Sequence, residues 1–427
     1  MQNLQNLQKA PVLLASAALI GLALPMSSQA ADTVNWNTLS GAAPIVIGHR
    51  GASGYRPEHT LEAYSLAIAQ GANFIEPDLV MSKDGELLAR HEPMLARVDL
   101  NADGTIKLVG GKPVINRTDT STNVWELSAY ANRITVKTVD GQKVGGWFAE
   151  DFTAAEIRAD VRAQERLRDL RLGNNAYNNQ YVIPTLQEVI NLAKAKSIET
   201  GRTIGIYPET KHPSYFKTYA EGAGVQRMED KLVATLHANY GNNRNAPVYI
   251  QSFEVSNLQY VNSQTDIKIA QLLNGSGRPY DFTVAGDARS YQDLTLAAGL
   301  DFIDGYADGV GANTSLMIPL VAGKLGSPTT LIGDAHARGL EVHGWTFRAE
   351  NAFLPNEFDS STNPAALGNL SGQIRAFAVL GIDGIFTDHP DLGVAAIAAI
   401  PEPSTYALML AGVAGLALWS RRRQMPR

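Results

Sequence analysis

The chain has 427 residues, 45% apolar and 18% charged, with 38 Gly and 20 Pro; it is too hydrophobic to be disordered and too interrupted to be a long coiled coil or fibre. It contains no Cys, which excludes disulfide frameworks, thiolate nucleophiles and Cys-ligated metal clusters, so any metal must sit on oxygen or imidazole. Of the net charge of −6, the first 30 residues contribute only Lys9 and the last 27 contribute four Arg against Glu402, which leaves −10 on residues 31–400 and argues against a nucleic-acid partner.

In chain order, Lys9, an apolar run from Pro11 to Pro25 and Ser28-Gln29-Ala30 have the layout of a secretory signal peptide over residues 1–30, with cleavage expected after Ala30. Short β-type runs follow at Ile45 to His49, Phe74 to Leu79, Leu87 to His91, Thr203 to Tyr207, Val248 to Phe253, Ile267 to Leu272, Asp301 to Tyr306, Glu341 to Phe347 and Gly384 to Thr387. Helical segments alternate with them: Leu61, Tyr64 and Ile68 share a face before Gly71, and Thr185 with Glu188 forms a capping box ahead of the stripe Leu186, Val189, Ile190 and Ala193. This alternation implies an α/β protein with a parallel sheet. The link Ser82-Lys83-Asp84-Gly85 is too short for a parallel crossover, so Leu87 to His91 must return as a β-hairpin arm after strand 2. Eight parallel strands remain, the count of a TIM (β/α)8 barrel, with an open doubly wound sheet as the alternative. Residues 94–182 break the pattern with turn-rich polar sequence, a helix opened by Thr153-x-x-Glu156 and an Asn-rich loop at Gly173 to Gln180; they read as an inserted segment on the C-terminal rim.

Chemistry-bearing residues gather at the ends of the first three strands. Gly48-His49-Arg50-Gly51 ends the first. Glu76 and Asp78 on the second, and Glu209 and Lys211 on the third, are spaced i, i+2 and point to one side. Paired inward carboxylates need a neutralising cation, and three of them exceed Arg50 and Lys211. The arm returns His91 toward the same mouth. Glu58 serves either a helix dipole or Arg50.

These stretches resemble the glycerophosphodiester phosphodiesterase family, in particular bacterial periplasmic members with a large insertion. The resemblance rests on His49-Arg50-Gly51, Pro57-Glu58-His59-Thr60, Ile75-Glu76-Pro77-Asp78, Lys83-Asp84-Gly85 to His91, Tyr207-Pro208-Glu209-Thr210-Lys211, Ser252-Phe253 and Gly384-Ile385-Phe386-Thr387-Asp388. It implies hydrolysis of glycerophosphodiesters to sn-glycerol 3-phosphate and an alcohol. Glu76, Asp78 and Glu209 would then bind one divalent cation, Ca²⁺ or Mg²⁺; Arg50 and Lys211 would hold phosphate oxygens; His49 and His91 would share the acid and base roles. The departures are His59 where the family usually has Asn, Pro77 inside the acidic motif, and Glu92 where Asp commonly follows the catalytic His. His59, His212, His237, His336, His343 and His389 read as structural, Phe253 and Trp345 as core filler with lining of a glycerol pocket as the alternative, and Asp388 as a cap after strand eight rather than a catalyst. The competing readings are a phospholipase of related barrel architecture and a catalytically silent surface protein.

The C-terminal end, Pro401-Glu402-Pro403, the apolar stretch Ser404 to Ser420 and Arg421-Arg422-Arg423, resembles the PEP-CTERM sorting signal of Gram-negative bacteria. That implies a membrane segment before processing, an exosortase-type processing partner, and delivery to the periplasm, cell surface or matrix.

Overall fold

The computed structural model describes residues 36–399; the signal-peptide cleavage point and the apolar tail lie outside the described residues. Eight parallel strands form one ring, in chain order: Ile45–His49, a second strand in the two pieces Phe74–Glu76 and Asp78–Met81, a third in the pieces Gly205–Ile206 and Glu209–Thr210, then Tyr249–Ser252, Lys268–Leu273, Gly309–Asn313, Glu341–Phe347 and Gly384–Thr387. The ring closes because the first strand pairs with both the second and the eighth, and every intermediate neighbour is paired in parallel. This is the TIM-barrel fold, so the open-sheet alternative is set aside.

The second and third strands break at Pro77 and Pro208, which have no N–H to donate to a ladder. Register is unaffected: Ile206 stands beside Ile75 and Glu209 beside Asp78. The expected strand at Asp301 to Tyr306 is instead the end of a helix, Ala297–Asp304, and the sixth strand is Gly309–Asn313. Gly311 explains why that strand looks weak in sequence, since an added Cβ would meet the Leu272 side chain at 2.5 Å. The hairpin arm is antiparallel as expected, with Leu79 opposite Ala89 and Met81 opposite Leu87, and its ladder ends at Ala89.

Inside the barrel Ile47, Tyr207, Tyr249, Ala270 and Phe386 pack together, with Tyr207 and Tyr249 stacked at 4.9 Å. The larger core lies between the strands and the helices, among them Leu61–Ala69, capped by Thr60, and Leu186–Thr200, opened by the Thr185–Glu188 capping box. Residues 94–182 carry a sheet of their own, Met94–Val98, Thr135–Val139 and Gln142–Phe148, paired antiparallel, and the helix Ala154–Asp160 with its Thr153–Glu156 capping box.

Candidate active site

At the C-terminal ends of the strands a cleft of about 220 Å³ is lined by His49, Arg50, Glu76, His91, Glu209 and Lys211, with Gln251, Phe253, Trp345 and Arg348 among its walls. All seven residues singled out in the sequence come together here: six line the cleft, and Asp78 is buried beside them. Phe253 and Trp345 correct the core-filler reading, because they line the cleft edge to face at 5.6 Å.

The loop after the first strand is tightly drawn. Arg50 adopts a left-handed backbone, φ 59°, and its N–H donates to Glu76 Oε2 at 2.8 Å. Gly51 follows at φ 88°, where a Cβ would meet the Ala63 backbone at 2.6 Å, so only glycine lets the loop lie on the first helix. The Arg50 guanidinium is held between Glu58, at 3.0 Å, and Asp78, at 3.3 Å. Glu58 therefore serves Arg50 rather than a helix dipole, and it also takes Arg166 at 3.3 Å.

Glu76, Asp78 and Glu209 offer oxygens that all lie within 4.8 Å of one another, and all three are buried. Their neighbours are Gln251 on Glu76 at 3.1 Å, His59 on Asp78 at 2.9 Å and Lys211 on Glu209 at 2.9 Å. Burial and then the adjoining Asp78 push Glu76 well above the usual carboxylate range; burial raises Glu209 to about 8 even against Lys211. Asp78 goes the other way, because Lys211, His59 and Arg50 overcome its burial. Three buried carboxylates whose oxygens converge, with Arg50 and Lys211 as the nearby cations, fit a hard divalent cation.

His49 and His91 face the cleft from different supports. His49 Nδ1 lies 2.6 Å from Asp388 Oδ1, so the carboxylate fixes the proton on Nδ1 and leaves Nε2 free. Asp388 Oδ2 accepts from Arg171 Nη2 at 2.5 Å and Arg348 Nε at 2.8 Å. These arginines outweigh burial and hold Asp388 ionised, well below its ordinary value. Asp388 is therefore a partner of His49, which corrects the cap reading. His91 Nδ1 lies 2.8 Å from Glu92 Oε1, and Glu92 Oε2 is 3.3 Å from His212, which in turn bonds Asp140 at 2.6 Å. Burial, then Arg50, lower His49 to about 4 and His91 to about 3.

His59 and His212 thus join the site's surroundings and do not belong with the structural histidines, whereas His343 is a barrel-interior residue bonded to Tyr207 at 2.8 Å. The supporting roles of Asp388, His212 and Arg171 are hidden in the sequence because their partners lie far away along the chain, whereas Glu92 stands next to its partner His91.

Comparison with known proteins bears on the family and the fold. The model of the Glycerophosphoryl diester phosphodiesterase family matches residues 49–392, and that of the PEP-CTERM protein-sorting motif matches residues 399–424. A glycerophosphodiester phosphodiesterase of Arabidopsis thaliana is 32% identical over 82% of this chain and 85% of its own length. One from Haemophilus influenzae is 29% identical over 90% of this chain and 96% of its own. In fold, the chain resembles a glycerophosphoryl diester phosphodiesterase structure from Silicibacter pomeroyi, with a TM-score of 0.53 and 19% identity over 85% of this chain and 97% of that one. With the family model matching residues 49–392, well over half of its length, the chain belongs to the glycerophosphoryl diester phosphodiesterase family and is a phosphoric diester hydrolase that carries a C-terminal sorting motif.

Proposed function

We propose that the protein is an exported, divalent-cation-dependent glycerophosphodiester phosphodiesterase, releasing sn-glycerol 3-phosphate and an alcohol. The observation that supports this most is the meeting of two carboxylate-backed histidines, a three-carboxylate cluster and two cations in one cleft. Arg50 would grip phosphate oxygens with its planar fork and Lys211 would add a point charge. Glu76, Asp78 and Glu209 would hold Ca²⁺ or Mg²⁺, which when bound supplies Lewis-acid polarisation of the phosphoryl oxygen. Of His49 and His91, one takes the proton of the attacking hydroxyl at its free Nε2 as the new P–O bond forms. The other delivers a proton to the leaving alkoxide as the old P–O bond breaks. Burial first, and after it the positive charge of Arg50, joined at His91 by Lys211, disfavour a second proton on the imidazoles; an anionic substrate offsets that positive charge and so lets one of them carry it.

Export rests on the sorting motif at 399–424 and on the leader layout of residues 1–30, and it implies an exosortase-type processing partner. The reaction is tested by following phosphorus NMR of the purified protein with glycerophosphocholine, glycerophosphoethanolamine and glycerophosphoglycerol. sn-Glycerol 3-phosphate should appear from all three. A cyclic phosphate as end product, or turnover confined to lysophospholipid vesicles, would assign the site to a phospholipase.

A further inference from the structure

Three side chains of the inserted segment, at separate points along it, end on groups that hold the cleft residues. We propose that residues 94–182 brace the catalytic centre: Arg171, Asp140 and Arg166 are positioning residues for His49, His91 and Arg50. The assignment of those three targets rests on the proposed function.

The first chain of contacts is the most buried. Arg171 donates to Asp388 Oδ2 at 2.5 Å, to Glu350 at 2.6 Å and to the Ser53 carbonyl at 2.8 Å. With Arg171 and Arg348 both on Oδ2, the other oxygen is left for His49 Nδ1. Ser53 Oγ in turn donates to the His49 carbonyl at 2.9 Å, so Arg171 is tied to the ring and to the backbone of the same histidine. Asp388 is only 2% exposed, and a carboxylate so enclosed is oriented by its protein donors.

In the second chain Asp140 turns the hairpin between Thr135–Val139 and Gln142–Phe148, with left-handed backbone at Asp140 and Gly141. Its carboxylate bonds His212 at 2.6 Å, His212 lies 3.3 Å from Glu92, and Glu92 holds His91 at 2.8 Å. The third runs from Arg166 through Glu58 to Arg50, at 3.3 and 3.0 Å. The sheet of the segment is packed: Met94, Val139, Val144 and Phe148 form a buried cluster, with Tyr215 against it. A lid would place side chains on substrate; these side chains stand behind the groups that do.

The test uses the full chain and four variants: Arg171→Met, Arg171→Lys, Asp140→Asn and, as a control on a half-buried pair of the same segment away from the cleft supports, Asp119→Ala. For glycerophosphocholine, kcat should fall about 10- to 100-fold in Arg171→Met and about 2- to 5-fold in Asp140→Asn, which reaches His91 through the half-open Glu92, with KM within about twofold in both, because orientation is lost and binding is kept. Arg171→Lys should recover part of kcat, and Asp119→Ala should match wild type. Nitrogen NMR of the histidine rings gives a readout independent of turnover: His49 should carry its proton on Nδ1 in wild type and become a mixture of tautomers in Arg171→Met. If thermal melting shows Arg171→Met unfolded, Asp140→Asn decides, since Asn tolerates the left-handed turn position. Wild-type kcat in a folded Arg171→Met or Asp140→Asn, a raised KM alone, or an equal loss in Asp119→Ala would overturn the brace. An inactive wild type with the expected ring signatures would instead overturn the proposed reaction and leave the brace standing.

Discussion

His49 ends a barrel strand with its ring against an enclosed carboxylate that two arginines clamp, whereas His91 lies beyond the ladder of a hairpin arm, 28% exposed at the side chain beside a Glu92 that is 29% exposed. Both rings have a carboxylate on Nδ1, yet only one of the two pairs is shut off from water. In the enclosed pair nothing replaces a lost partner; in the half-open pair water does. The same chemistry is therefore held with two degrees of rigidity, and graded substitutions should expose that difference.

The largest effect belongs to the rings themselves. His49→Ala and His91→Ala should each lower kcat about 10²- to 10⁴-fold, and the double variant should be little worse than either, because the two act as a unit. Strictly additive losses in steady-state assays would separate their roles. Next comes the comparison of their partners: Asp388→Asn should cost about 10- to 100-fold in kcat, and Glu92→Gln less than about 10-fold. Asp388→Asn should also destabilise the fold by about 3–5 kcal/mol by leaving Arg171 and Arg348 without their buried counter-charge, read by denaturant melts. Equal costs at Asp388 and Glu92 would break the comparison.

A smaller effect is a pH signature on the half-open side. Against the pull of burial, Asp140 and Glu92 raise His212 to about 9 from an ordinary 6.5. A raised pKa stabilises the fold fully below 6.5, and that contribution is lost as pH climbs through 9. The thermal midpoint of wild type should thus fall across that window and that of His212→Asn should fall less; parallel curves would remove His212 from the chain. The smallest effect is expected at the solvated extreme, where Asp301, 65% exposed, pairs with Arg338: Asp301→Ala should move stability by under about 1 kcal/mol.

Much of the barrel is legible because strand and helix periods alternate, and the i, i+2 spacings at Glu76 and Asp78 or Glu209 and Lys211 survive the proline inside the first pair and the one ahead of the second. The sixth strand is not, because packing against Leu272 leaves Gly311 where a bulky residue would have marked a strand. The seven cleft residues sit in short motifs at strand ends, so sequence reaches them. Their supports do not: Asp388 meets His49 across 339 positions, and Arg171 lies in polar sequence with no period. Backbone conformation hides a further signal, since four of the six non-glycine residues with positive φ among the described residues, Arg50, His59, Asp140 and His212, stand at the cleft or its supports. Such conformations persist where surrounding structure over-determines them.

The central claim, that these two histidines and a cation on Glu76, Asp78 and Glu209 hydrolyse glycerophosphodiesters, is tested most directly by sn-glycerol 3-phosphate release from glycerophosphocholine. The assay compares wild type and His49→Ala, each stripped with chelator and then given Ca²⁺ or Mg²⁺. The expected result is release by wild type only with a divalent ion and a loss in His49→Ala under every condition. Undiminished release in chelator, or by folded His49→Ala, would contradict it.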